Sequence, residues 1–337
     1  MRQVFLEAPG KLDIRNVVEP DPGPEDVVIR VRAVGICGSD VHVFAGQHPF
    51  VQYPVVPGHE FSGTIESTGS SVSTDLVGRS ACVEPSFVCG RCGQCLSGRY
   101  NICSELRVMG FQAPGAMCEA VAVPLAKVHL LPGRMDFRTG ALVEPAAVAV
   151  HAFRRSSAKS GDVVLVIGAG VIGTMVMQVA LGEGCRVACV EADPERLKRA
   201  ARAGAEMTFD AQVTPEAIRD ATDGALSAIF ECVGLPETIQ LAVDSAPRGS
   251  TVVAAGVFSE AVPIPMPIVQ DGEIDIKGTL MYTGEDFRRA IELLARGAIR
   301  PADFITHVVG LEQVERGYRL LLDRSVQTMK VLVEPGG

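Results

Sequence analysis

The 337-residue chain is too long for one compact core and points to about two domains. Its 47% hydrophobic and 21% charged residues describe a packed chain and not a disordered one. A formal net charge of −9 argues against a nucleic-acid partner, which needs a basic face.

The opening MRQVFLEAPGK has no apolar run behind its charge, so no signal peptide is visible, and ten cysteines then fit a reducing cytoplasm. Residues 1–140 read as β-rich, with runs such as VVIRVRAVGI broken by Pro/Gly stretches at 19–26 and 54–60. Within that region Cys37 stands in GICGSDVH, and His59 with Glu60 in PGHEF. A Cys, a His and a carboxylate supply three ligands to a metal and leave a position open for water or substrate. Next comes CGRCGQCLSGRYNIC, in which Cys89, Cys92, Cys95 and Cys103 follow the spacing C-x2-C-x2-C-x7-C. Such spacing brings four thiolates around one tetrahedral centre, the geometry of a closed structural zinc site; a disulfide reading competes, but the tight spacing favours a metal over two unstrained bridges. Cys82, Cys118, Cys185, Cys189 and Cys232 read as small buried hydrophobes. Glu144 lies in the apolar run LVEPAAVAVHA, where an unpaired charge is costly; a metal or its bound water is a natural partner.

From about 161 strands and helices alternate, the texture of βαβ units and a parallel sheet. VVLVI, RVACV, SAIFECVG and STVVAAGV are the predicted strands, with helices over 174–182, 194–204 and 236–246. Residues 163–182 carry no charge and are long enough to span a bilayer, but a β-branched run, three glycines and a helical run read as a buried strand, turn and helix. The fingerprint Gly168-x-Gly170-x-x-Gly173 sits at that turn, the place for a dinucleotide pyrophosphate. Glu191 ends the next strand, placed to bind a ribose diol and repel a 2′-phosphate, with Asp193 its rival. Arg196 is a guanidinium able to pair with either ribose or phosphate. Near 283 an amphipathic helix, EDFRRAIELLARG, leads to a terminal strand, MKVLVE. This C-terminal piece is too small for its own core and is expected to rejoin the N-terminal domain. The expected domains are 1–150 completed by 283–337, and 151–282.

Together GHEF, CGSDVH, the four-cysteine lobe, VEPAAVAVHA and VIGAGVIG resemble the zinc-containing medium-chain dehydrogenase/reductases, over essentially the whole chain and in matching order. Glutamates at 60 and 144 point to the polyol (sorbitol-like) and threonine dehydrogenase branch. The resemblance implies an α/β fold: a GroES-like β-rich catalytic domain in two chain segments, around a Rossmann doubly wound parallel sheet. It implies a catalytic zinc on Cys37, His59 and Glu60, with Glu144 a direct ligand or one water removed. Ser39 and His42 match the proton relay, Asp40 the carboxylate that orients a ligand imidazole, and the four cysteines the structural zinc. Glu191 and Arg196 match ribose contacts, and Ile172 the adenosine side. The implied cofactors are two Zn2+ per chain and NAD, with NADP possible. The implied partner is an alcohol or polyol substrate, with no membrane and no nucleic acid, in a cytoplasmic homodimer or homotetramer whose contact lies near AVPIPMPIVQ and IDIKGTLMY. Glu191 stands where aspartate is commoner, and the loop GQHPFVQYP has no tryptophan, which weakens a threonine-type reading. An NADPH-linked aldehyde or ketone reductase and a non-catalytic nucleotide-binding regulator are the alternatives. Specificity is expected from Phe50, Tyr53, Phe111 and Phe258.

Overall fold

A computed structural model describes residues 1–323 and 325–336 of the chain. It divides into two compact units, Met1–Glu144 with Phe304–Gly337, and Pro145–Asp303.

The first unit is organised by the eleven-residue strand Asp26–Ile36, whose residues are mostly buried. Along one side it pairs antiparallel with Glu60–Thr68. Along the other it pairs with Ala120–Pro124 near its start and with Lys330–Glu334 at its end. The C-terminal strand thus joins this sheet, and Ile305–Gly310 extends it beyond. Register has a direct consequence for the site. Gly35 stands opposite Glu60, and Ile36 opposite Val331. The end of one strand and the starts of two others therefore deliver Cys37, His59, Glu60 and Lys330 to one place, and a one-residue slip would turn these side chains away. Val4, Leu6, Ile29, Val34, Phe61 and Val331 belong to the core beneath.

The second unit is a six-stranded parallel sheet of β1 (Val163–Ile167), β2 (Arg186–Val190), β3 (Met207–Phe209), β4 (Leu226–Glu231), β5 (Thr251–Ala254) and β6 (Asp275–Gly278). Their spatial order is 3-2-1-4-5-6, that of a dinucleotide-binding sheet. All five residues of β1 are buried, as in a sheet covered on both faces. The uncharged stretch at 163–182 resolves into β1, a glycine turn and a twelve-residue helix, Val171–Gly182. Among the described residues no helix is long and apolar enough to cross a membrane.

The expected boundary at 282 falls inside the second unit, which runs on to Asp303. Helix Gly284–Ala295 buries Phe287, Ala290, Leu293 and Leu294. Its Asp286, fully buried, accepts from His151 Nδ1 at 2.9 Å and Arg154 Nη1 at 2.7 Å, and caps the helix by accepting from Thr283 N–H at 2.8 Å. Burial alone would raise this carboxyl, but those partners hold it at about 2. Arg289 adds an ion pair with Glu183 at 2.6 Å. Amphipathicity predicts that this segment is a helix; the buried charge network decides which unit it joins.

Candidate metal centres and dinucleotide site

The sulfur atoms of Cys89, Cys92, Cys95 and Cys103 all lie within 4.8 Å of one another. Cys89 and Cys95 are 3.9 Å apart, Cys92 and Cys103 3.9 Å, and Cys89 and Cys103 3.5 Å. Thiolates held at about 2.3 Å from a tetrahedral zinc stand roughly 3.8 Å apart, whereas a disulfide needs about 2.05 Å. The four sulfurs therefore fit a metal and not two bridges, and all ten cysteines are free thiols. Backbone N–H groups of Cys92 and Cys95 donate to the sulfurs of Cys89 and Cys92, and those of Cys89 and Glu105 to Cys103. Amide donation from Cys95 and Ser104 brings the Cys92 thiol down to about 6. Cys95 goes the other way, up to about 12, through burial and its neighbouring thiols. Four sulfurs this close ionise together only with a cation between them.

The second group combines Cys37, His59 and Glu60, whose donor atoms likewise lie within 4.8 Å of one another. Cys37 precedes helix Gly38–Phe44, and Asp40 in its first turn accepts the Cys37 N–H at 2.9 Å. Asp40 Oδ1 then faces His59 Nδ1 at 3.4 Å, and among the described residues neither buried atom has a closer hydrogen-bond partner. With Nδ1 turned to Asp40, Nε2 is the nitrogen presented as a ligand, the arrangement by which a carboxylate fixes a metal-binding imidazole. Burial would keep His59 neutral, but Asp40 and Cys37 push its pKa well above the usual imidazole range. Surroundings that negative suit a bound cation, so the donor set fits a zinc with one open position.

Lys330 escaped the sequence reading. It is buried, and its Nζ donates to both Glu60 oxygens, at 2.7 and 2.8 Å, and to the carbonyl of Ile36 at 3.4 Å. Desolvation works against this ammonium, but Glu60, Cys37 and Glu144 keep its pKa above the ordinary lysine value. Its signal in the sequence is slight, a lysine opening the apolar strand KVLV. Gly35 makes room for the pair, since a Cβ there would lie 2.0 Å from Glu60 Oε2. Glu144 is buried in the first turn of helix Val143–Arg155, outside the group of three mutually close donors. Ser39, half-buried, and His42, exposed, stand three residues apart on helix Gly38–Phe44, and so on one face of it.

Phe50, Tyr53 and Phe111 line one cavity of about 580 Å³ together with Gln52 and Gln112. Phe111 also lies 4.9 Å, ring to ring, from His59 and stacks on His48 at the same distance, which ties the cavity to the metal group. Phe258 does not join them; it packs against the apolar core of the second unit.

The three fingerprint glycines have three different reasons. Gly168 has φ +95°, which a side chain would strain. A Cβ on Gly173 would lie 1.8 Å from the Gly168 carbonyl oxygen, so helix and strand pack too closely for one. A Cβ on Gly170 would meet nothing within 4 Å, because that position faces open space at the start of helix Val171–Gly182, where Ile172 lies in the first turn. Gly168, Gly170, Glu191, Arg196, Val233 and Leu235 line a cavity of about 760 Å³ there. This is the cradle that a dinucleotide pyrophosphate requires beside a helix N-terminus. Asp193 is engaged as N-cap of helix Pro194–Ala203, accepting from Glu195 and Arg196 N–H. Glu191 accepts the N–H of Ala169, inside the glycine loop, at 2.7 Å and that of Asp193 at 2.9 Å.

Residues 23–133 match the alcohol dehydrogenase GroES-like domain, and residues 171–296 the zinc-binding dehydrogenase domain. Sorbitol dehydrogenase of Bacillus subtilis is 31% identical over 99% of this chain and 97% of its own. L-galactonate-5-dehydrogenase of Escherichia coli is 32% identical over 91% of each. Among solved structures, a zinc-binding dehydrogenase from Sinorhizobium meliloti bound to NADP superposes with a TM-score of 0.92, at 32% identity and covering 99% of both chains.

Proposed function

Because the chain belongs to the zinc-containing alcohol dehydrogenase family of the medium-chain dehydrogenase/reductases, we propose that it transfers a hydride between a secondary alcohol of a polyol, sugar or sugar acid and NAD. The observation that carries this reading is the open set Cys37, His59 and Glu60, in the same chain as a glycine-cradled cavity. A zinc there would polarise the substrate hydroxyl and lower its pKa, and a bound nicotinamide would take up the hydride. The chain's own residues do the remaining work. Asp40 holds the His59 tautomer, and Lys330 holds Glu60. Ser39 inside and His42 at the surface offer a hydroxyl and an imidazole along which the substrate proton leaves. Glu144 orients what occupies the open position. The aromatic cavity of Phe50, Tyr53 and Phe111 sets which alcohol enters. Cys89, Cys92, Cys95 and Cys103 hold the second, structural zinc. Gly168, Gly170, Gly173 and Ile172 form the phosphate turn, with Glu191 and Arg196 toward the ribose.

A second reading has its own support. Both Glu191 oxygens already accept backbone N–H groups, and Arg196 lines the same cavity, which lessens repulsion of a 2′-phosphate. A panel of polyols, sugar acids and amino alcohols assayed with NAD and with NADP tests both. The expected result is oxidation of at least one polyol or sugar acid, with kcat/KM favouring NAD tenfold or more, about 1.4 kcal/mol. A preference for NADP moves the protein to the reductase reading, and NADH binding without turnover of any alcohol to the regulator reading.

We place the enzyme in the cytoplasm, in keeping with its free thiols, as a homodimer or homotetramer. β6 is the edge strand of its sheet, and Ile276, Leu280, Met266 and Ile268 around it are exposed apolar residues. An unpaired edge of that kind is suited to meeting its own copy across a two-fold axis. Light scattering at micromolar concentration should return at least twice the chain mass; a monomer would refute the assembly.

A further inference from the structure

We propose that Glu231 is a positioning residue of the dinucleotide site, anchoring the loop that forms one wall of its cavity. The inference rests on the cofactor reading above. Glu231 ends β4 and is 0% exposed. Its Oε1 accepts from three donors at 2.8 Å each, the N–H groups of Val233 and Gly234 and the hydroxyl of Thr238. Its backbone carbonyl accepts from Ala255 N–H at 2.8 Å and Gly256 N–H at 2.9 Å. One residue thus ties together the loops that leave β4 and β5. There is no slack at the joint, because a Cβ on Gly256 would lie 2.2 Å from Gly234 N and 2.6 Å from Glu231 Oε2.

The chemistry of the loop follows from where its amides point. N–H groups at a helix start after a parallel strand are ready donors for phosphate, as in the first turn of helix Val171–Gly182. Here Glu231 takes those of Val233 and Gly234, which withholds them from a ligand. What the loop presents instead is Val233, 41% exposed, and Leu235, 50% exposed, on the wall of the cavity that also holds Gly170, Glu191 and Arg196. Glu231 therefore makes this wall an apolar surface for a flat ring of the dinucleotide and leaves the phosphates to helix Val171–Gly182. Among the described residues its Oε2 is buried without a hydrogen-bond partner, so the side-chain hydrogen bonds of this carboxylate all run through Oε1 to the loop and Thr238.

The test compares Glu231→Met, of similar length but without an acceptor, with Glu231→Gln, which keeps the Oε1 acceptor. Kd for NADH is read by nucleotide fluorescence well below each melting temperature, alongside KM for NAD and for the alcohol. The parent should bind NADH, the methionine variant should bind about tenfold more weakly or worse, and the glutamine variant should stay within about threefold. KM for NAD should rise with Kd, while KM for the alcohol at saturating NAD holds, a split that general loosening would not produce. A methionine variant with the parent's Kd overturns the proposal, as does a glutamine variant equally impaired. Should Glu231→Met not fold, Thr238→Val against Thr238→Ser decides: weakening by valine but not serine supports the anchor, and equal Kd values overturn it. If the parent itself binds no NADH, the cofactor reading falls and the proposal with it.

Discussion

Lys330→Met should lower the stability of the zinc-free protein by about 3–5 kcal/mol, the cost of leaving one member of a buried ion pair alone. Glu60 is 0% exposed and both its oxygens rest on Lys330 Nζ, so removing the ammonium leaves a carboxylate with its main counter-charge gone. Two further results distinguish this from ordinary core damage. Adding zinc should raise the melting temperature of the variant more than that of the parent, because a metal at Cys37, His59 and Glu60 replaces the lost positive charge. The double variant Glu60→Gln/Lys330→Met should recover part of the loss, since it removes both charges. Turnover should fall even with zinc bound, because Glu60 without Lys330 is free to put its second oxygen on the metal as well and fill the position left open for substrate. Thermal melts with and without zinc carry the test. A zinc-free Lys330→Met protein that melts like the parent would show that the pair contributes nothing.

That pair also marks the limit of what the sequence discloses. The four-cysteine lobe and the glycine turn were legible because their physics is local: spacing within fifteen residues brings the four sulfurs together, and one strand-turn-helix unit makes the glycine-lined cavity. The β-rich and alternating textures of the two units were legible for the same reason, since period and punctuation are local signals. Lys330 meets Glu60 across 270 positions, through the register of three strands that no single stretch encodes. Asp286 was equally silent: helix Gly284–Ala295 is visibly amphipathic, but its commitment to His151 and Arg154 depends on tertiary pairing. Glu231 sits in plain view within SAIFECVG, but nothing in that run discloses that its carboxylate is buried and holds the loop that follows. In each case the missed residue is a charge buried with a distant or irregular partner. Hydrophobic patterning assigns such charges to the surface.

The second large effect is expected at the thiolate lobe. Cys92→Ser should reduce the metal content from two zinc ions per chain to one and make the segment from Cys89 to Cys103 the first part of the chain to open. The lobe has little core of its own: Cys89, Cys92 and Cys95 are only partly buried, and its helix, Gly93–Leu96, has no buried residue. Its order must come from the metal, as in small zinc modules whose binding free energy is their folding free energy. Its far end is tied to the sheet by the Tyr100 hydroxyl, which donates to Glu84 at 3.2 Å, and Glu84 is itself paired with Lys127 at 3.1 Å. This buried cluster should confine the damage, so the sheet around Asp26–Ile36 stays folded while the lobe becomes protease-sensitive. The two zinc sites should also separate under a chelator. The open set at Cys37, His59 and Glu60 releases its ion first, with loss of activity, and the closed four-sulfur set keeps its own longer. Metal analysis of protein purified without chelator, followed by limited proteolysis of parent and variant, reads both outcomes. Two zinc ions retained in Cys92→Ser, or cleavage beginning outside the lobe, would mean that the four sulfurs do not hold the lobe through a metal.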